Sequence, residues 1–220
     1  MTEFFIERNR FLNRDVKAYY SLDYIGGLGS ECQDISKNPA GFIYTLKEDD
    51  WNKYNYLSLD EAENMCFNEI FNFFSNVELP RWAFKYPYYV CCVPRSKASF
   101  YQNNKKLRFR NVVKNCLANL RDRRFRDGTD FLIRIQDTKM THVKHDTGWN
   151  QGDSPYPGIT NDTCKIANEI AGANIILIDD IYTKTANVIE DCVQALRNKG
   201  ARDIIVYTVA KTVYNKNFIG

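Results

Sequence analysis

The second half of the chain alternates between two kinds of apolar pattern. Residues 88–93 (YYVCCV) form an unbroken apolar run closed by Pro94, as expected of a strand covered on both faces. After it, Phe109, Val112, Val113, Cys116, Leu117 and Leu120 recur at three- and four-residue spacing, which marks one face of a helix. Residues 131–135 are a further expected strand, interrupted by Arg134, and residues 175–178 (IILI) another. Val188, Ile189, Cys192, Val193 and Leu196 mark a second helix that stops at Lys199 and Gly200, where glycine suits the left-handed position just past a helix end. Residues 203–209 are the strand after it, while residues 164–171 fit a short helix or a strand equally. Strand, helix, strand, loop, strand, helix, strand predicts an α/β fold with a doubly wound, mostly parallel sheet.

The first part reads differently. Residues 19–25 and 42–46 are rich in β-formers and bounded by Gly26-Gly27 and Asn38-Pro39, which predicts a pair of strands. Ser58 with Glu61 three residues on is a capping box, and Ala62, Met65, Cys66, Ile70, Phe73 and Phe74 continue it as a helix ending near Asn76. The expected division is an aromatic-rich N-terminal extension, 1–80, and a main domain, 81–220. Residues 136–162 are polar, rich in Gly, Pro, Asp and Thr, and without periodicity. A loop that long inside a domain tends to be a functional lid.

Composition narrows the classes of function. A net charge of +3 on 220 residues supplies no global field toward nucleic acid or membrane. The seven cysteines are odd in number and lie in apolar stretches, the usage of small core residues in a reducing compartment. No pair has CxxC spacing and the two histidines, His142 and His145, are not near a cysteine pair, so a structural zinc site has no support. No apolar run approaches a membrane span, and the expectation is a cytoplasmic protein. One local patch stands out: between Lys105 and Arg126 lie nine basic residues and one acidic, Asp122. Arg110, Lys114 and Arg121 fall in one helical stripe, which is either a solvated face or a weak nucleic-acid contact.

The candidate chemistry sits in residues 174–187, NIILIDDIYTKTAN. In an open parallel sheet ligands bind beyond the carboxyl ends of the strands, and Asp179 and Asp180 occupy that edge. Either aspartate alone could be a helix cap. Two of them followed by Thr183, Lys184 and Thr185 and then a helix suit a sugar phosphate: backbone N–H groups at a helix start take phosphate, and carboxylates accept from sugar hydroxyls. A haloacid-dehalogenase site needs Asp-x-Asp and fails at Ile181. A dinucleotide fold needs GxGxxG, which the chain lacks.

IILIDDIYTKTANVIEDCVQAL resembles the phosphoribosyl-pyrophosphate signature of the type I phosphoribosyltransferases, in particular the ComF-like branch. VCCVPRSK (90–97) is similar to that branch's pyrophosphate-loop region, LIRIQDTKMTH to the stretch before its mobile loop, and GARDIIVYTVAKT to the strand after the signature helix. The likeness spans roughly residues 88–212; residues 1–80 match only loosely. It implies transfer of ribose 5-phosphate from phosphoribosyl pyrophosphate, with Mg2+, to a nitrogen nucleophile, or alternatively a non-catalytic module that senses that ligand or a nucleotide. It assigns Asp179 and Asp180 to the ribose hydroxyls, Asp179 also to charge near the anomeric carbon, and Thr183, Lys184, Thr185 and Asn187 to the 5-phosphate. Arg95, Ser96 and Lys97 fall to pyrophosphate, although basic residues after a strand are commonly plain solvated charges. His142, Lys144 and His145 become lid residues reaching pyrophosphate or nucleophile, although a polar surface loop with two solvated histidines is the commoner case, while Arg134 either enters the site or pairs with a carboxylate. Two departures matter. Thr185 stands where the family has glycine, so the turn uses ordinary dihedrals or its phosphate contact is weakened. The cysteine pairs of the family's N-terminal zinc module are missing.

Overall fold

The computed structural model describes residues 1–26, 34–47, 57–102, 104–139 and 158–214. Two antiparallel strands open the chain, β1 (Thr2–Ile6) and β2 (Val16–Gly26), followed by helices α1 (Phe42–Lys47) and α2 (Leu59–Asn76). Then come β3 (Tyr88–Cys92), α3 (Arg108–Asn119), β4 (Phe125–Asp127), β5 (Leu132–Arg134), β6 (Cys164–Ile166), β7 (Asn174–Tyr182), α4 (Val188–Asn198) and β8 (Asp203–Tyr214). The main sheet has the order β1-β2-β8-β7-β3-β4, parallel except for β1. This is an α/β fold with a mostly parallel mixed sheet. Residues 1–26 supply two of its six strands, and β2 pairs with β8 along its length.

Side chains alternate across a strand, and the sheet uses both faces. Val90, Cys92, Ile176, Ile178 and Tyr207 pack under α1, α2 and α3, while Cys91, Ile175, Leu177, Ile204 and Val206 pack under α4. That double burial is why β3 and β7 read as continuous apolar runs. The Ser58 capping box forms, with Ser58 N–H donating to Glu61 Oε2 at 2.8 Å. Gly200 has φ +93°, and the N–H groups of Gly200 and Ala201 return to the carbonyls of Arg197 and Leu196 at 2.9 and 3.0 Å, the double bond of a Schellman end. Six cysteines, 66, 91, 92, 116, 164 and 192, are buried free thiols, and Cys32 lies outside the described residues. Among the described residues no helix is long and apolar enough to cross a membrane.

Two expected strands behave otherwise. Residues 42–46, expected to be a strand, form the helix α1: Phe42, Ile43, Thr45 and Leu46 are buried and Tyr44 is exposed, a helical alternation that a short apolar run does not reveal by itself. Residues 131–135 do not join the main sheet, because β5 pairs with β6 in a separate antiparallel ribbon. The edge beside β3 belongs instead to β4, whose Arg126 and Asp127 are exposed and whose charge is tolerable at a sheet edge. At Gly128 a Cβ would meet Tyr89 Cβ at 3.1 Å and Cys91 Sγ at 3.2 Å. Any side chain there would push against β3, so glycine eases the chain's close crossing on its way to β5. Residues 164–171 resolve into β6 and a short 3-10 turn, Asn168–Ile170.

Candidate functional site

From β3 the chain passes through α3 to β4 on one side, and the next strand of the sheet, β7, lies on β3's other side. The carboxyl ends of β3 and β7 therefore flank the point where strand order reverses, and a crevice opens there in any doubly wound sheet. Here it holds a cavity of about 470 Å³. Asp179 and Asp180, from the carboxyl-terminal half of β7, line it together with Val93, Pro94, Arg95 and Ser96 from the β3 exit. Lys47 at the end of α1 reaches across to Asp180, Nζ to Oδ2 3.1 Å.

Asp179 retains a solvent-facing edge but is surrounded by the cavity walls. Burial pushes its carboxyl well above the usual carboxylate range, and the neighbouring Asp180 pushes the same way; Lys47, the Asp180 N–H (2.9 Å to Asp179 Oδ1) and Arg95 oppose it only in part. A buried carboxylate beside a second one favours a ligand that brings hydrogen-bond donors or positive charge. Arg95 leans over the Phe100 ring at 4.7 Å and donates from Nη1 to Lys106 O at 3.1 Å. Arg134, nearly buried, donates from Nε to Arg95 O at 3.0 Å and from Nη1 to Gly158 O. It thus enters the cavity wall and braces the Arg95 turn through carbonyls.

The turn after β7 contributes unevenly. Thr183, Thr185 and Ala186 line the cavity, with Thr183 hydrogen-bonded to Thr212 at 2.6 Å. Lys184 turns outward to Glu7 at 3.1 Å. Thr185 does not take a positive φ; the left-handed residue is Asn187, φ 48°, a type that tolerates that region. Asn187 accepts from Asn9 Nδ2 at 3.1 Å and is not among the lining residues. Of the two options left by the missing glycine, the turn with ordinary dihedrals at Thr185 is the one present. Lys97 is also turned away, buried with Nζ 3.6 Å from Asp137. His142, Lys144 and His145 lie outside the described residues, as does most of the expected lid.

Several lining residues were not legible as site residues. Arg110, in the basic stripe, is buried against Asp130 and over the Tyr101 ring at 5.3 Å; its helical spacing marked it as basic but not as inward. Lys47 and Tyr101 come from segments with no motif, Lys106 from the basic run and Lys139 from the start of the expected lid, where neither was singled out. Glu190 and Asp191 look like ordinary helix-start acids in sequence, yet both are buried and burial raises both carboxyls. Asp191 accepts from the N–H groups of Gly158 and Ile159 at 2.7 and 3.0 Å. Glu190 accepts from Tyr182 Oη at 3.1 Å through Oε1, while Oε2 has no partner among the described residues. Cys92 also lines the wall, its thiol pushed up to about 12 by burial and so unreactive. Among the described residues no three His, Cys, Asp or Glu side chains converge on a metal position. Neither family models nor curated proteins give a match for the chain.

Proposed function

We propose that the chain is a phosphoribosyltransferase-like protein that binds phosphoribosyl pyrophosphate at the carboxyl edge of its sheet and transfers ribose 5-phosphate to a nitrogen nucleophile. The observation that carries this reading is the carboxylate pair on β7 lining one cavity with Arg95 of the β3 exit. The lining residues include six basic side chains, Lys47, Arg95, Lys106, Arg110, Arg134 and Lys139, against four acidic ones, Asp179, Asp180, Glu190 and Asp191. That excess suits an anion, while the carboxylates suit hydroxyl donors on the same ligand. Breaking the bond from the anomeric carbon to the pyrophosphate oxygen leaves an oxocarbenium-like sugar, which Asp179 and Asp180 stabilise through the ribose hydroxyls and by their charge. Arg95, with the backbone at Ser96, takes the charge that grows on pyrophosphate. Magnesium bound with the ligand supplies neutralisation of the phosphates. Asp179 and Asp180, which line the cavity, are the carboxylates that would meet a metal carried in with the ligand.

A second reading, a module that senses phosphoribosyl pyrophosphate or a nucleotide without turnover, is favoured by the turn after β7. Its ties to Thr212, Glu7 and Asn9 hold it to the body of the fold, and the unpartnered Glu190 oxygen under the start of α4 disfavours a dianion there.

A thermal scan with magnesium phosphoribosyl pyrophosphate tests the site. Ligand at a hundredfold excess over its dissociation constant should stabilise by about 2.7 kcal/mol, on the order of 5–10 °C for this length. Asp179→Asn with Asp180→Asn should abolish the shift. No shift in the wild type at millimolar ligand would overturn the reading. Pyrophosphate release with a panel of nitrogen bases then separates the transferase from the sensor.

A further inference from the structure

The opposite edge of the same sheet carries a second surface with its own chemistry. The segment entering β3 is a 3-10 turn, Arg81–Phe84, followed by Lys85 and Tyr86. Arg202 enters β8, and Arg121, Arg123 and Arg124 enter β4. Because β3, β4 and β8 run parallel, these entries share the amino-terminal edge, away from Asp179. Of eight large hydrophobic residues exposed among the described residues, three fall here: Trp82 at 42%, Phe84 at 66% and Tyr86 at 44%. Such clustering on a surface marks a binding patch.

A cation lies over each ring, which leaves the opposite faces of Phe84 and Tyr86 to an incoming base. The Arg202 guanidinium lies 5.7 Å from the Trp82 centroid and 4.9 Å from that of Tyr86; Arg124 is 5.5 Å from Phe84 and Lys85 Nζ 5.3 Å from Tyr86. The platform is pinned from below. Tyr88 stacks on Trp82 at 5.8 Å and donates its hydroxyl to Asp203. Buried Asn174 donates to Tyr86 O at 2.8 Å and accepts from Arg202 Nε at 2.9 Å. Asp122 is held by Arg124 at 2.7 Å, so two of the edge's acids are engaged within the fold, whereas Arg81, Lys85, Arg121, Arg123 and Arg202 are exposed at this edge. Aromatic faces interleaved with exposed cations match the chemistry of unpaired bases on a phosphate backbone: rings stack on bases and cations follow the phosphates. A duplex hides its base faces and has no use for the rings.

We propose that the amino-terminal edge of the sheet binds single-stranded nucleic acid, with Trp82, Phe84 and Tyr86 as the stacking platform and the surrounding arginines and Lys85 as phosphate contacts. The full chain is titrated against a short fluorescein-labelled oligothymidylate and its anisotropy followed at low and at physiological salt. The wild type should bind, and Phe84→Ala or Tyr86→Ala should weaken binding by about tenfold each. Arg81→Gln with Lys85→Gln and Arg123→Gln should flatten the logarithmic salt dependence by about 0.7 per lost phosphate contact. Asp179→Asn should leave binding unchanged, which separates this surface from the cavity. Trp82 packs on Tyr88 and its alanine variant is checked for folding by circular dichroism; the exposed Phe84 and Tyr86 carry the test if it fails to fold. The proposal is overturned by a wild type that does not bind at low salt, by aromatic variants that bind as well as wild type, or by a duplex bound as tightly as the single strand. Self-association abolished by Phe84→Ala, with no oligonucleotide bound, reassigns the surface to a contact between copies or to a protein partner.

Discussion

The two edges of one sheet are built on opposite terms. At the amino edge, polar groups find partners: Asn174 serves both the Tyr86 carbonyl and Arg202, and Tyr88 closes on Asp203. At the carboxyl edge, titratable groups are gathered where burial opposes their charge, as the raised carboxyls of Asp179, Glu190 and Asp191 attest. The same strands, β3, β7 and β8, end in both. What differs is how completely the fold satisfies the buried group: Asp191 keeps two backbone partners, while Glu190 Oε2 has none among the described residues. A satisfied network rigidifies; poised carboxylates weaken the fold and are characteristic of functional sites.

The largest effect expected from this contrast is at Asn174. Asn174→Ala leaves the Tyr86 carbonyl and the Arg202 guanidinium without their buried partner and should lower stability by about 1–3 kcal/mol, measured by urea titration. A loss within about 0.5 kcal/mol, the range of an ordinary surface change, would erase the distinction between the edges.

Asp179 should respond with the opposite sign. Its folded-state pKa lies above the unfolded value, so the native chain holds more protons than the unfolded chain between the two. Stability at this site is therefore present at acid pH and lost as pH rises through the raised pKa. Asparagine does not titrate and is spared that loss. Asp179→Asn should raise the melting temperature of the unliganded chain by a few degrees at pH 8, on the order of 1 kcal/mol, with the gain shrinking toward pH 4. Scans of both proteins across that range would sink the claim by showing a gain independent of pH, or a loss at pH 8.

The smallest effects sharpen the description of the turn. Thr185 takes ordinary dihedrals, so Thr185→Gly should add no ligand affinity and should destabilise by about 0.5 kcal/mol through the freer unfolded chain. Asn187 holds the left-handed position, and Asn187→Gly should be near neutral. If instead Thr185→Gly tightens phosphoribosyl pyrophosphate in a thermal scan, the turn closes differently around ligand than it stands here.

The residues legible in the sequence as a site were those carried by strand ends. Asp179, Asp180, Thr183 and Arg95 meet in the cavity because β3 and β7 end side by side. Lys97, Lys184 and Asn187 shared the same motifs but turn to Asp137, Glu7 and Asn9, and no spacing distinguishes a turn residue that faces inward from one that faces out. Arg110 was misjudged the other way: a basic residue beside an apolar stripe stands at the boundary between solvent and interior, and Asp130 with Tyr101 draws it inward.

Strands β3, β7 and β8 and helices α2, α3 and α4 were determined by the sequence alone, because double burial leaves unbroken apolar runs and one-sided burial leaves helical stripes, both of which are local signals. The helix at 42–47, the charged edge strand β4, the ribbon of β5 with β6 and the reach of Lys47 to Asp180 were decided only by the tertiary structure. Each depends on a partner far along the chain, and a short segment takes the conformation that buries it best against that partner whatever its own propensity prefers.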